Sequence, residues 1–269
     1  MKERIDVLLV QKGLFPSREK AKAALMAGLV YVDKKNCDKA GTLIDSEAEI
    51  WIKDDICPYV GRGGLKLQKA LSFFSLDLSH LICVDIGAST GGFTDCMLQN
   101  GARKVYSIDV GYGQLDYKLR NDPRVINMER INVRHMNPHR IPEQADFIAI
   151  DVSFISLNLI FPIASQLLKE GGSLICLIKP QFEAGREQVG KKGIVRDSSV
   201  HREVIQKVSF NGSEMGMLSK GLTYSPMTGA KGNIEYLMLM EKNKVDEGQL
   251  TEETIKTVIE EAHRVLGER

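Results

Sequence analysis

The sequence predicts an α/β fold: a doubly wound, mostly parallel sheet preceded by a small α+β unit. Three observations carry this. From Leu65 onward, helix-spaced and strand-like stretches alternate, as a parallel sheet with crossover helices requires. A glycine-rich turn, Gly87 to Gly92, joins the first of those strands to a helix. Residues 1–53 have a different character, with short elements and clustered basic side chains. The boundaries read as 1–54 for the small unit, 55–61 for a linker holding Pro58, and 62–269 for the sheet domain.

Ile5, Leu8 and Leu9 have helical spacing, and Gly13 is placed to stop that helix. Ser17 can cap a second helix that ends at Gly28. Strand-like stretches follow at 29–32 and 49–52. After Gly61-Arg62-Gly63-Gly64 the expected order is helix 65–74, strand 81–86, helix 92–100, strand 104–109, helix 112–120, strand 125–128, strand 146–150, helix 156–168, strand 173–178 and helix 198–210. Strands at 220–224 and 234–240 suit an edge hairpin, and 251–266 reads as an amphipathic terminal helix.

The chain has 36 basic and 35 acidic residues in 269, a net charge of +1. Any polyanion-binding surface must therefore come from local clustering. The first residues lack the apolar stretch of a secretory signal, and no apolar run approaches a membrane span. Five cysteines at 37, 57, 83, 96 and 176 are dispersed without metal-ligand spacing, which fits reduced thiols and no zinc site. The expectation is a cytoplasmic protein with no membrane partner.

The turn VDIGASTGGF, 84–93, lets the backbone pass close to a ligand, and the helix it opens favours an anionic group. Asp109 ends the next strand, where a carboxylate can accept hydrogen bonds from a ribose diol. The spacing Asp-x-Gly-x-x-x-Gly-Gly differs from the dinucleotide fingerprint and points to S-adenosylmethionine rather than NAD. Candidate cofactor contacts are Asp85, Gly87, Ala88, Ser89, Gly91, Gly92, Phe93 and Asp109. Four more charged residues stand where such a sheet presents its ligand-binding end. Lys66 follows the GRGG segment, Asp151 ends the strand IAID, Lys179 ends SLICLIK, and Glu235 opens IEYLML. Singly, each is as compatible with a surface salt bridge.

Together, Lys66, Asp151, Lys179 and Glu235 resemble the Lys–Asp–Lys–Glu set of the FtsJ-like ribose 2′-O-methyltransferases. DIGASTGGF, YVGRGGLKL, DVSFISL, IKPQFE and GNIEYL resemble segments of the TlyA-like (haemolysin A) family over about residues 4–240. In the small unit, Arg4, Asp6, Leu9, Ser17, Arg18, Ala21, Gly28, Val30, Val32 and Gly41 resemble the αL-type RNA-binding motif. Asp33-Lys34-Lys35-Asn36 stands where that motif usually has an Asn-Gly turn. The resemblance implies a Rossmann-like class I methyltransferase sheet, S-adenosylmethionine as cofactor, and ribosomal RNA or ribosomal subunits as partner. It implies cofactor contacts from Asp85, Gly87 and Asp109, and an adenine-side contact from Asn132, where FtsJ-like proteins often carry Asp. RNA contacts are expected from Arg4, Arg18, Lys20, Lys22, Lys34, Lys35 and Arg62. Lys179 is expected to approach the ribose hydroxyl, as base or as orienting group.

Other acceptors are disfavoured. No Asn-Pro-Pro-Tyr or Asp-Pro-Pro-Tyr segment follows the fourth strand, and no Pro-Cys pair offers a nucleophile for cytosine C5. Stretch 180–197, rich in glycine and charge, suits a lid over the site. A membrane-damaging protein would need an export signal and a lipid-entering segment. A non-catalytic RNA-binding protein would not need the four charged residues.

Overall fold

The computed structural model describes residues 2–26, 28–33, 35–52, 57–229, 231–243 and 250–267. The chain divides into two compact units, residues 1–56 and 57–269.

In the first unit, β1 (Lys2–Arg4) runs into α1 (Ile5–Gln11), and Gly13 turns the chain at φ +70°. α2 (Arg18–Met26) opens on Ser17, whose Oγ accepts the Lys20 N–H at 3.3 Å. The helices pack Ile5, Leu8 and Leu9 against Ala21, Ala24, Leu25 and Val30. β2 (Val30–Val32) lies between β3 (Lys35–Asn36) and β5 (Ile50–Ile52), and β1 pairs with β4 (Leu43–Asp45). β1 (KER), β3 (KN) and β4 (LID) are absent from the sequence expectation, because each lacks the unbroken apolar run of β2 and β5.

The second unit begins with α3 (Gly63–Phe73). β6 (Ile82–Ile86), α4 (Gly92–Gln99), β7 (Lys104–Ile108), α5 (Tyr117–Arg120) and β8 (Val125–Met128) follow. Next come β9 (Ala145–Ile150), α6 (Phe161–Leu167), β10 (Leu168–Ile178), α7 (Pro180–Glu183), α8 (Ser198–Ser213), β11 (Met217–Tyr224), β12 (Tyr236–Lys242) and α9 (Glu252–Leu266). The sheet order is β11-β12-β10-β9-β6-β7-β8. β10, β9, β6, β7 and β8 are parallel, while β12 and β11 add an antiparallel hairpin. The chain reverses its direction of winding between β6 and β9, where open α/β sheets form a ligand crevice at their carboxyl ends.

Two expected helices are shorter. The segment expected as helix 112–120 forms α5 only from Tyr117, because Gly113 takes φ +72° and Asp116 caps the helix through the Lys118 N–H. The segment expected as helix 156–168 starts as a 3-10 turn at Leu157–Leu159 before α6, with Ser156 as its cap. Residues 57–61, expected within a linker, pack onto α3 and α4. Tyr59 donates its hydroxyl to Gln68 at 2.5 Å, and the Val60 N–H donates to Asp95 at 2.9 Å.

Candidate active site

The glycine turn after β6 is shaped by close backbone approach. Gly87, at φ +92°, lies so near the Asp151 carbonyl that a Cβ would collide with it. Gly92 packs against the backbone of the GRGG segment, where a Cβ would meet Gly64 N at 2.9 Å. Ser89 and Thr90 are exposed at the tip, whereas Ala88, Gly91, Gly92 and Phe93 are buried. Asp109 ties the turn to the loop after β7: its carboxylate accepts the Ser89 N–H at 2.8 Å and the Gly111 N–H at 2.6 Å. Beside it, Val110 stays 70% exposed, an apolar surface that the sequence did not single out.

Asp85 is sealed beneath the turn. Thr94 Oγ donates to its Oδ2 at 2.6 Å, while Oδ1 has no hydrogen-bond partner among the described residues. Burial, with Asp151 and Asp109 nearby, pushes its carboxyl up to about 7. Its visible part is to brace α4 under the turn. Asn132 is exposed and caps a 3-10 turn through the Arg134 N–H at 3.2 Å. These residues fit S-adenosylmethionine. The tip is open, Asp109 is fixed by two loop amides with lone pairs to spare for a diol, and an apolar surface lies alongside.

Next to the turn, a cavity of about 430 Å³ holds all four charged candidates. They form two ion pairs. Lys66 Nζ lies 2.6 Å from Glu235 Oε2, and Lys179 Nζ lies 2.6 Å from Asp151 Oδ1. The second pair is close but off the hydrogen-bonding direction, and the aligned bond from Lys179 goes to Ser153 Oγ at 2.9 Å. Lys179 and Glu235 are buried, so neither pair is a solvated surface bridge of small worth. Asp151 and Lys179 each follow a parallel strand, and Glu235 precedes antiparallel β12, which begins where its neighbours end.

Sequence reading missed Ser153, Phe154, Gln181, Phe182 and Asn233, which also line the cavity. Phe154 is 88% exposed in left-handed backbone, φ +63°, and its ring centroid lies 5.0 Å from that of Phe182. A non-glycine residue there costs about 1–3 kcal/mol, a strain that clusters at functional sites. The expected lid, 180–197, is in part regular structure, with α7 and a 3-10 turn at Arg186–Gln188. Glu183 anchors it, accepting from Leu157 N at 2.8 Å and Ser156 Oγ at 2.7 Å, and burial pushes its carboxyl up.

In the N-terminal unit, two expected RNA contacts have a second duty. Arg4 reaches the buried Asp6 through Nε at 3.0 Å and Nη2 at 3.1 Å, and Arg18 reaches it at 2.7 Å. The Arg4 bonds foremost hold the Asp6 carboxyl well below the usual carboxylate range. Both guanidinium groups remain half exposed. Lys20, Lys22 and Lys35 are exposed, and Lys34 lies outside the described residues. Arg62 lines the cavity of the second unit.

The FtsJ-like methyltransferase family model matches residues 59–242, and the S4 domain model matches residues 3–50. A Bacillus subtilis protein provisionally named rRNA methyltransferase YqxC is 52% identical over 100% of this chain and 96% of its own. The 16S/23S rRNA (cytidine-2′-O)-methyltransferase TlyA of Mycobacterium tuberculosis is 39% identical over 87% of this chain and 88% of its own. A solved structure from Streptococcus thermophilus, provisionally called a hemolysin, superposes with a TM-score of 0.78 at 49% identity, covering 99% of this chain and 98% of the other. Among the described residues no helix is long and apolar enough to cross a membrane. The chain belongs to the FtsJ-like methyltransferase family, in its TlyA-like branch with an S4 domain ahead of the enzyme, and takes its methyl group from S-adenosylmethionine.

Proposed function

We propose that the enzyme methylates a ribose 2′-hydroxyl of ribosomal RNA, with Lys66, Asp151, Lys179 and Glu235 carrying the transfer. The observation behind this is the pair of buried lysine–carboxylate contacts facing one cavity beside the cofactor turn. The names of the curated relatives agree with it. Such an enzyme works where ribosomal RNA is assembled, in the cytoplasm. The S4 unit contributes Arg4, Arg18, Lys20, Lys22 and Lys35 to the RNA backbone.

S-adenosylmethionine, when bound, supplies a methyl on positively charged sulfur. The chain aligns the acceptor and manages charge. A lysine ammonium has three donors. On Lys179, Ser153 Oγ takes one, while Asp151 pairs with its charge off the hydrogen-bonding direction, leaving a donor for the ribose oxygen, where it stabilises the charge that develops as the proton is lost to solvent. As an ion pair, Lys179 serves better as an orienting donor than as a base. Glu235 holds Lys66 against the same cavity. Exposed Phe154, backed by half-buried Phe182, offers an aromatic face to the base attached to that ribose. Ser89, Thr90 and Asp109 hold the donor beside them.

The product gives the test. Alkali cleaves RNA through the free 2′-oxygen, so a methylated ribose protects its own 3′ linkage. Label from the methyl donor should appear in alkali-resistant dinucleotides. Label found only in mononucleotides would place the methyl on a base and sink the ribose assignment.

A further inference from the structure

Behind the cavity wall lies a buried polar cluster that the chemistry above does not use. His201 on α8 and Tyr236 on β12 have no exposed surface, and His263 on α9 is partly buried. His201 Nε2 lies 3.1 Å from the Val195 carbonyl oxygen. A carbonyl only accepts, so Nε2 carries the proton and Nδ1 of the neutral ring is an acceptor. Its one lone pair takes the Tyr236 hydroxyl at 2.7 Å, and His263 Nε2, 3.1 Å away, shares it as the longer branch. Asp197, at the start of α8, is the charged group facing both imidazoles.

Each contact leads to the site. Val195 is gripped from both sides, its carbonyl by His201 and its N–H by Asn233 Oδ1 at 2.9 Å. Asn233 Nδ2 also donates to the Gly193 carbonyl at 2.8 Å, and both residues line the cavity. Tyr236 directly follows Glu235 and pairs across the sheet with Ile178, the residue before Lys179. One imidazole therefore touches Val195, which Asn233 ties to the cavity wall, and a side chain adjoining two of the four charged groups. His263 stands on a helix beyond the span that the family model matches.

We propose that His201 is a positioning residue for methyl transfer. Through Val195 it holds the segment that follows Gly193 in the wall. Through Tyr236 it holds the start of β12, so that Glu235 meets Lys66 while Lys179 meets Asp151. His263 completes the cluster as the second donor. This rests on the assignment of those four residues to the transfer step.

The test counts methyl transferred to ribosomal RNA wherever it lands, on ribose or base, so its outcome does not depend on the ribose assignment. Kinetics are measured on the full chain for His201→Ala, His201→Gln and Tyr236→Phe, with folding checked by circular dichroism. His201→Ala should lower kcat by about 10–100-fold, the scale of a displaced reacting group, and leave KM for the methyl donor within about twofold. His201→Gln, whose amide N–H can reach the Val195 carbonyl, should recover several-fold over alanine. Tyr236→Phe, which removes one hydroxyl and disturbs folding least, should lower kcat several-fold. Wild-type kcat in folded His201→Ala or Tyr236→Phe would overturn the proposal, as would glutamine performing no better than alanine.

Discussion

The two halves of the ligand-binding end of the sheet are built from different material. On the side of β6 and β7, the cofactor turn is shaped by main chain: Gly87 and Gly92 against neighbouring backbone, and Asp109 held by the Ser89 and Gly111 N–H groups. On the side of β9, β10 and β12, the surfaces are side chains: two lysine–carboxylate pairs and a pair of phenylalanines. The difference teaches which half tolerates substitution. A turn made of main chain keeps its shape when a side chain on it changes, short of adding a Cβ. Side-chain pairs have no such reserve.

Lys179→Ala breaks the comparison most sharply. It should lower turnover by about 10²–10⁴-fold, the range for a positioned group in the transition state, while donor affinity hardly changes. Single-turnover rates and calorimetry separate the two. A matching fall in donor affinity would merge the two halves into one binding surface.

In each half burial shifts a titratable group, with opposite consequences. Asp85, under the turn, is pushed up to about 7 by burial, so the stability it lends is fullest in acid and is lost as pH rises from about 4 toward 7. His201, behind the cavity, is pushed down to about 4, chiefly by burial; its contribution is complete above pH 6.5 and lost as pH falls toward 4. Urea unfolding between pH 4 and 7 reads both. Relative to wild type, Asp85→Asn should gain stability as pH rises, and His201→Gln should gain it as pH falls, each by about 3 kcal/mol across the window. Parallel pH curves for wild type and either variant would mean that burial does not govern that group.

The smallest effect falls on the backbone-built half. Asp109→Ala should weaken donor binding by about 1.5–3 kcal/mol, the loss expected for hydrogen bonds to a charged group. Turnover at saturating donor should stay close to wild type. Unchanged affinity by calorimetry would leave the loop amides alone to hold the donor.

How much of this was legible in the sequence follows the same division. The turn is a local strand–glycine–helix motif, and Gly87, Gly92 and Asp109 were readable from spacing. Asp151, Lys179 and Glu235 were readable because each ends or opens an apolar strand, and Lys66 because it follows the GRGG segment. Contacts between distant segments were not. Phe154 and Phe182 meet only because β9 and β10 are neighbours, and His201 meets His263 across 62 residues of chain. Arg4 and Arg18 read as part of an RNA surface. That both converge on Asp6 depends on how α1 packs against α2, which clustered charge cannot reveal. The helix expected at 112–120 failed because Gly113 and the Asp116 cap are turn chemistry inside an otherwise helical pattern.

The antiparallel entry of β12 has a consequence for assembly. The strand headed by Glu235 is the last of the sheet in chain order, and it lies between β10 and β11. A chain folded only through β10 already possesses the cofactor turn, Asp151 and Lys179, yet Lys66 still lacks its counterion. Chain order thereby separates the two halves: the glycine turn, Asp151 and Lys179 all precede the strand that brings Lys66 its partner.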